Sequence, residues 1–277
     1  MELKNLSSKQ LKLVKGSLEK FFYSAGTNIA FYNSFRKNKT KTFEIRCQKA
    51  IEYQILHIAQ LDTMAKLFPQ MIKSDLAEDV IKKEWKSFEE AIPGGRNTIF
   101  AFLLFALNEG GQAGLEKIVP QHKFILKNQS LKDKIITRSN FLVESVNKTG
   151  IEWLSTQIKN GIENRESITQ LVKNLRKEAK NIARTRGAII TETELITAMN
   201  EMELEVYKRN EIKKFKWICS GDERTCEACL ANEMAGEVSV GKEFPGGVDR
   251  PPQHILCRCY LLPVLPTIIE GEVWTGQ

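Results

Sequence analysis

A group of cysteines and one histidine in the last quarter of the chain has the residue types and the spacing of a zinc site. The pattern is Cys226-x2-Cys229, then 24 residues, then His254-x2-Cys257-x-Cys259. Zinc in structural sites takes four sulfur and nitrogen ligands in a tetrahedron, and two half-sites closing a loop of this size are typical of small zinc modules. Five candidates compete for four positions. We expect Cys226, Cys229 and Cys257 to bind, with either His254 or Cys259 as the fourth ligand.

Two other interpretations of these residues stay open at the level of sequence. Reduced cysteines can pack as small hydrophobic residues, and cysteine pairs can form disulfides. The first residues of the chain lack the apolar stretch of a secretory signal, which favours folding in a cytoplasm, where disulfides are rare. Cys47 and Cys219 lie outside the pattern, and we interpret both as ordinary thiols.

The pattern does not match a catalytic zinc site. A zinc deaminase would need a glutamate two residues after the histidine, where this chain has Leu256. A histidine-rich nuclease site would need a second histidine near the metal, and residues 213–277 contain only His254. We therefore predict a structural metal and no enzymatic activity.

The residues around the cluster predict a small, loop-rich β module over 213–277. Two short stretches, 215–219 and 259–265, have strand-like composition, and glycine and proline residues separate them. A module of this size buries little apolar surface by itself, so a metal is an expected brace.

The preceding sequence has helical periodicity, which makes the predicted fold class mainly α, and α+β overall. We expect a basic helical region over 1–130, with helices from Ser7 and over 41–67, 74–91 and 97–110. Three short helices are expected over 131–212, with Gly161 ending the first. Each starts at one of three capping pairs: Thr149 and Glu152, Ser167 and Gln170, Thr191 and Glu194.

Composition and charge restrict the function further. The 277 residues are 42% hydrophobic and 27% charged, which is typical of a globular protein, and the longest apolar run (99–107) is too short to cross a membrane. The net charge is +7, and residues 1–50 alone hold 11 basic and 3 acidic residues, a balance of +8. Such a surface either is an ordinary solvated face or attracts nucleic acid or an acidic protein weakly and in a salt-sensitive way.

Three stretches together resemble the phage Mu F-like minor head protein family, also called phage head morphogenesis proteins. The first is helical: Ile182-Ala183-Arg184-Thr185, then Thr193-Glu194 and Ala198-Met199-Asn200. The second runs from Trp217 through Asp222-x-Arg224-Thr225 to the cysteine pair, with Gly236 downstream. The third is Pro251-Pro252-x-His254-x-x-Cys257-Arg258-Cys259. The family's structural motif thus falls on Trp217, Asp222, Arg224, Gly236, Pro251, Pro252 and Arg258.

The resemblance implies a low-copy virion component inside the capsid near the portal vertex, acting in head assembly, DNA packaging or DNA ejection. The implied partners are the portal protein and other head proteins, with packaged DNA as a weak, sequence-independent partner. Asp222 can cap the turn before the cysteines and pair with Arg258, which is a structural role. The alternative is a phage-borne enzyme or toxin-like effector, an ADP-ribosyltransferase or a nuclease. Glu192-x-Glu194 stands at an expected helix start, the wrong context for a transferase.

Overall fold

The computed structural model describes residues 40–73, 77–119, 123–124 and 129–265. The helix expected from Ser7 lies outside these ranges. The described chain is mostly helical with one small sheet, which confirms the mainly α fold class. None of the described helices is long and apolar enough to span a membrane. The helices are α1 Thr40–Ile58, α2 Leu61–Lys73, α3 Ala77–Glu84, α4 Phe88–Ala91, α5 Gly95–Glu116, α6 Gln129–Glu163, α7 Ile168–Arg209 and α8 Glu227–Met234. The strands are β1 Lys214–Ile218, β2 Glu237–Ser239 and β3 Tyr260–Val264.

Several predicted helix boundaries before residue 120 are wrong. The expected helix over 41–67 is two helices, and the break falls where Arg176 Nε donates a hydrogen bond to the carbonyl of Ala59, 3.1 Å away. Pro69 lies inside α2 rather than beyond its end. The expected helix over 74–91 is divided into α3 and α4, because Ser87 forms a capping box that starts α4. Helix α5 continues through the glycines at which we expected it to stop.

Residues 131–212 contain two long helices rather than three short ones. Thr149 and Thr191 do not begin helices, because each hydroxyl donates to a carbonyl four residues earlier within a continuous helix, at 2.9 Å and 2.8 Å. Only Ser167 acts as predicted, with its hydroxyl accepting a hydrogen bond from the Gln170 backbone amide. Gly161 lies inside α6, which ends at Glu163. The three consecutive domains expected from the sequence remain a prediction.

The described residues form two compact units, each built from separated parts of the chain. The helical unit contains the described residues of 40–102 and 129–191, and the sheet unit contains those of 103–124 and 192–265. Helices α5 and α7 therefore contribute residues to both units.

Asn147 is the main polar contact inside the helical unit. Its side-chain oxygen accepts hydrogen bonds from Gln54 Nε2 at 3.1 Å, Trp85 Nε1 at 3.2 Å and the Phe88 amide at 2.8 Å. These bonds tie α1 and the start of α4 to α6. Apolar side chains of α2, α3, α6 and α7 pack beside them into a continuous core.

The sheet unit contains an antiparallel sheet of order β2-β1-β3. Phe215 and Trp217, on one face of β1, are fully buried, and the Trp217 ring meets Phe244 edge-on with centroids 5.2 Å apart. Helix α5 packs closely on α7, because Gly110 and Gly114 face the backbone of Met199 and Glu203.

A buried ion pair fixes β3 in the sheet unit. Lys117 Nζ lies 2.8 Å from Glu203 Oε2 and donates to the carbonyl of Leu261 at 3.0 Å. The hydroxyl of Tyr207 donates to the same carbonyl at 3.0 Å. Since Leu261 lies two residues after Cys259, these contacts also hold the strand that carries the last cysteine of the cluster.

Candidate metal centre

Cys226 and Cys229 are positioned by the start of helix α8. Cys226 is the N-cap residue, and its sulfur accepts a hydrogen bond from the Cys229 amide at 3.4 Å. The turn that leads into it is closed by a bond from the Thr225 amide to the Asp222 carbonyl at 2.9 Å. The first helical turn therefore brings two sulfur atoms to one end of α8.

The second half-site is a turn that precedes β3. The Cys257 amide donates to the His254 carbonyl at 3.1 Å, which turns both side chains toward α8. Between them Leu256 has a φ of 61°, and its amide donates to the Thr193 hydroxyl at 3.3 Å. Gln253 bonds to Asn232 of α8 at 2.9 Å, so the turn is held against the helix that carries the first half-site.

The structure brings together all five residues that the sequence predicted as candidate ligands. Cys229 lies at the centre, with its sulfur 3.4 Å from His254 Nε2 and 3.8 Å from Cys257 Sγ. Two sets of potential ligand atoms have mutual distances within 4.8 Å: Cys226, Cys229 and His254 in one, Cys229, Cys257 and Cys259 in the other. All six cysteines of the chain are free thiols, so the disulfide interpretation finds no support here.

The surroundings favour the charged form of some thiols over others. A hydrogen bond with Cys259 lowers the pKa of the Cys257 thiol to about 5. The backbone amide of Cys229 lowers the pKa of the Cys226 thiol. In contrast, burial raises the pKa of Cys229, and the bond to Cys257 raises that of Cys259. The charged form is thus favoured at Cys226 and Cys257, on either side of Cys229, and a bound cation would favour deprotonation of Cys229 as well.

The contacts of His254 orient its ring for ligation. Nδ1 lies 2.8 Å from the carbonyl of Ile255, which can only accept a hydrogen bond. In the neutral ring this bond places the proton on Nδ1 and leaves the lone pair of Nε2 facing Cys229, and the same bond raises the pKa of His254. This second hydrogen bond is the usual way in which a metal-binding histidine is fixed.

The Asp222–Arg258 pair predicted from the sequence is present beside the cluster. Both guanidinium Nη atoms of Arg258 donate to the Asp222 carboxylate, Nη2 at 2.6 Å from Oδ1. Asp222 also accepts from the Arg224 amide at 3.1 Å, whereas the Arg224 side chain is exposed. The bonds from Arg258 hold the pKa of Asp222 at about 2, below its usual 3.8. The pair ties the loop before α8 to the residue between Cys257 and Cys259.

The other residues of the predicted motif have structural positions. Trp217 lies in the core beneath the sheet, and Gly236 takes a φ of 68° where the chain leaves α8. Pro251 and Pro252 are joined by a cis peptide bond ahead of His254. Glu192 and Glu194 lie inside α7, so the expected helix start at this point is wrong.

Sequence analysis missed two contributors to the site. Cys219, which we placed outside the cluster, donates through its sulfur to the Cys229 carbonyl at 3.2 Å, and burial raises its pKa to about 11. Cys219 directly follows β1 and stands two residues after Trp217. Because alternate residues share a strand face, this spacing could have indicated that Cys219 lies on the same side of the sheet as Trp217. Asn200 of α7 donates to the Cys259 carbonyl at 3.3 Å, and no sequence pattern indicated this contact.

Comparison of the chain with curated proteins and with solved structures finds no match. A scan against family models finds one described as Phage Mu protein F like protein, over residues 152–262. This range contains all of α7, both halves of the cysteine and histidine cluster, and β1 and β2. It also contains all three stretches on which the resemblance was based. Residues 152–262 match this family model, which confirms the resemblance to the phage Mu F-like family over that part of the chain.

Proposed function

We propose that the protein is a minor head protein of a phage that acts at the portal vertex, inside the capsid, in head assembly, DNA packaging or DNA ejection. The observation that carries this proposal is the family match, which includes the entire cysteine and histidine cluster. The family supports a role in the phage head and other head proteins as partners. The portal protein is the partner that we propose within that group.

The test of the portal role uses the phage that encodes this chain. Mass spectrometry of purified heads should find the protein in low copy number, and the isolated portal protein should retain it in a pull-down. A phage lacking the gene should make fewer infectious particles. Absence of the chain from purified heads would contradict the virion role. If the protein is present in heads but does not bind the portal protein, only the proposed position at the portal vertex is contradicted.

We also propose that the cluster binds one structural zinc ion. Zinc–sulfur bonds of about 2.3 Å require tetrahedral sulfur atoms to lie about 3.8 Å apart, and zinc–nitrogen bonds of about 2.0 Å place nitrogen and sulfur about 3.5 Å apart. The Cys229–Cys257 distance of 3.8 Å and the Cys229–His254 distance of 3.4 Å fit these values. A donor set of thiols and one imidazole is also the one that zinc prefers.

Among the five candidates we propose Cys226, Cys229, His254 and Cys257 as the ligands. Cys226 and His254 share one group with Cys229, and Cys257 is in van der Waals contact with the Cys229 sulfur. The bond to Cys257 raises the pKa of the Cys259 thiol, and Cys259 lies outside the group that contains Cys226 and His254. It is therefore suited to donate a hydrogen bond to the bound Cys257 thiolate, as residues around a metal commonly do.

Metal analysis of variants tests this ligand set. Wild-type protein should contain about one zinc ion per chain, and His254→Ala and Cys257→Ser should lose it. Cys259→Ser should retain it, as should the matched control Cys47→Ser, since Cys47 is buried in the helical unit. In cobalt-substituted protein the charge-transfer absorption should correspond to three thiolates. Loss of metal from Cys259→Ser with retention in His254→Ala would replace histidine by Cys259 in the set.

A binding role for the module is better supported than catalysis. A catalytic zinc ion keeps one position open for water, whereas here two groups of three potential ligands share Cys229 and offer five side chains for four positions. The charged pair nearest to the cluster, Asp222 and Arg258, is engaged in mutual hydrogen bonds. We therefore propose that the module serves as a rigid surface for assembly.

A further inference from the structure

One face of helix α7 carries four exposed basic side chains. Lys173, Lys177, Lys180 and Arg184 follow one another at spacings of four, three and four residues. At about 100° per residue these positions fall within an arc of about 60° on the helix surface. Three buried residues of the same stretch, Leu171, Leu175 and Ala179, lie on the opposite side. All of these residues belong to the helical unit. We call the four cations the basic face.

The basic face gathers four cations on one side of a helix without acidic partners. Some cations of other helices are paired along the helix, as in Lys41–Glu44 at 2.9 Å, Lys82–Asp79 at 3.2 Å and Arg209–Glu205 at 3.1 Å. Among the residues that the structure describes, no ion pair involves any of the four cations of the basic face. Glu178 is the single acidic residue in the range 173–184, and it lies about 100° or more around the helix from each of them.

An uncompensated row of like charges is unfavourable for the helix that carries it, since like charges three or four residues apart repel each other. Stability of α7 therefore does not account for the pattern. A partner with a matching row of negative charge would offset the repulsion. The row extends over 12 residues, 173–184, whose 11 steps of 1.5 Å cover about 16 Å of the helix.

We propose that the basic face binds the phosphate backbone of duplex DNA without sequence preference. Backbone contacts of this kind need only positioned cations, and about 16 Å corresponds to roughly five nucleotides of one strand. The face has no aromatic side chain on which an unpaired base could stack, which disfavours single strands. It also has no exposed apolar residue to form the centre of a protein interface. The apolar side of α7 is buried in its unit, so it cannot enter a lipid surface.

The test compares two variants of the full chain with the same net charge. In the first, Lys173, Lys177, Lys180 and Arg184 are changed to glutamine, a residue of similar helix propensity. In the control, four exposed lysines of α1, α2, α6 and the end of α7 are changed in the same way: Lys49, Lys66, Lys159 and Lys208. Fluorescence anisotropy with a labelled 20-base-pair duplex then gives the dissociation constant at several salt concentrations, and circular dichroism verifies folding.

The first variant should bind at least ten-fold more weakly than the control. Its plot of log affinity against log salt should be shallower than that of the wild type by about three, since each phosphate contact contributes about 0.9 to that slope. Equal weakening in both variants would overturn the proposal, because it would reflect net charge alone. Unchanged binding in the first variant would also overturn it, as would equally strong binding of polyglutamate. None of these results would affect the proposed role in the phage head.

Discussion

At the residue scale, the ionisation of Asp222 makes the stability of the sheet unit depend on pH in the acidic range. Its pKa is depressed to about 2 by the hydrogen bonds from Arg258, against 3.8 for an ordinary aspartate. A group whose folded pKa lies below its unfolded pKa contributes stability above the unfolded value, and this contribution is lost as the pH falls through the folded value. The ionised Asp222 should therefore stabilise the fold fully above about pH 4 and no longer below about pH 2.

Asp222→Asn should remove this dependence. The variant should unfold at a lower denaturant concentration than the wild type at neutral pH, and the difference should shrink between pH 4 and pH 2. Urea titrations of both proteins across this range measure it. Acid should release the proposed zinc ion from both proteins alike, so the effect of this release on stability cancels when the two proteins are compared. A difference that stays constant down to pH 2 would show that the pair with Arg258 does not set the stability.

The sequence could predict residues that stand in a recognisable motif. The cluster residues follow from residue type and spacing, and the pairing of Asp222 with Arg258, 36 residues apart, was proposed from the family motif that contains both. Asn147 could not be found in this way, because its importance comes from three donors supplied by Gln54, Trp85 and Phe88. The buried Lys117–Glu203 pair also joins residues that are 86 positions apart, and neither residue stands in a motif.

At the element scale, helix starts were over-predicted because the same residue spacing occurs at caps and on helix surfaces. A threonine followed by glutamate three residues later is a capping box only where the helix begins. Within a helix, the threonine hydroxyl can instead bond to the carbonyl four residues earlier, as Thr149 and Thr191 do. The strands were easier to predict, because β1 and β3 are short apolar stretches bounded by loops.

The continuation of α5 through Gly110 and Gly114 has a packing reason that leads to a prediction. A side chain at Gly110 would overlap the backbone of Met199 in α7, and one at Gly114 would press on Glu203. Gly110→Ala should therefore lower the free energy of unfolding by about 1–3 kcal/mol, the usual cost of overpacking. This is opposite to the gain of about 1 kcal/mol that alanine brings to an unobstructed helix. Chemical denaturation measures the difference.

Leu104→Ala is the matched control in the same helix, since the Leu104 side chain is 46% exposed. This change should alter the free energy of unfolding by no more than about 0.5 kcal/mol. A stabilised Gly110→Ala variant would mean that α5 and α7 do not pack as closely in the sheet unit as the structure has them.

At the scale of the whole molecule, the two units are assembled from parts of the chain that alternate in sequence. The sheet unit combines the second part of α5 with residues after 191, and the helical unit takes the intervening segment 129–191. The sequence predicted consecutive regions because composition can be followed only along the chain. Packing does not follow chain order, so the two units could not be predicted in this way. The cysteine and histidine cluster belongs wholly to the sheet unit, so loss of the proposed zinc ion should affect the two units differently.

Removal of the metal should loosen the sheet unit and leave the helical unit protected. A small β module has few apolar contacts to replace four metal–ligand bonds, and zinc binding and folding are coupled in such modules. After chelation, hydrogen exchange measured by mass spectrometry should accelerate in β1 and α8 but remain slow in α1, whose buried residues belong to the other unit. Added zinc should restore the protection and magnesium should not, because thiolates bind magnesium poorly. Equal exchange of β1 with and without chelator would mean that the cluster does not support the fold through a metal.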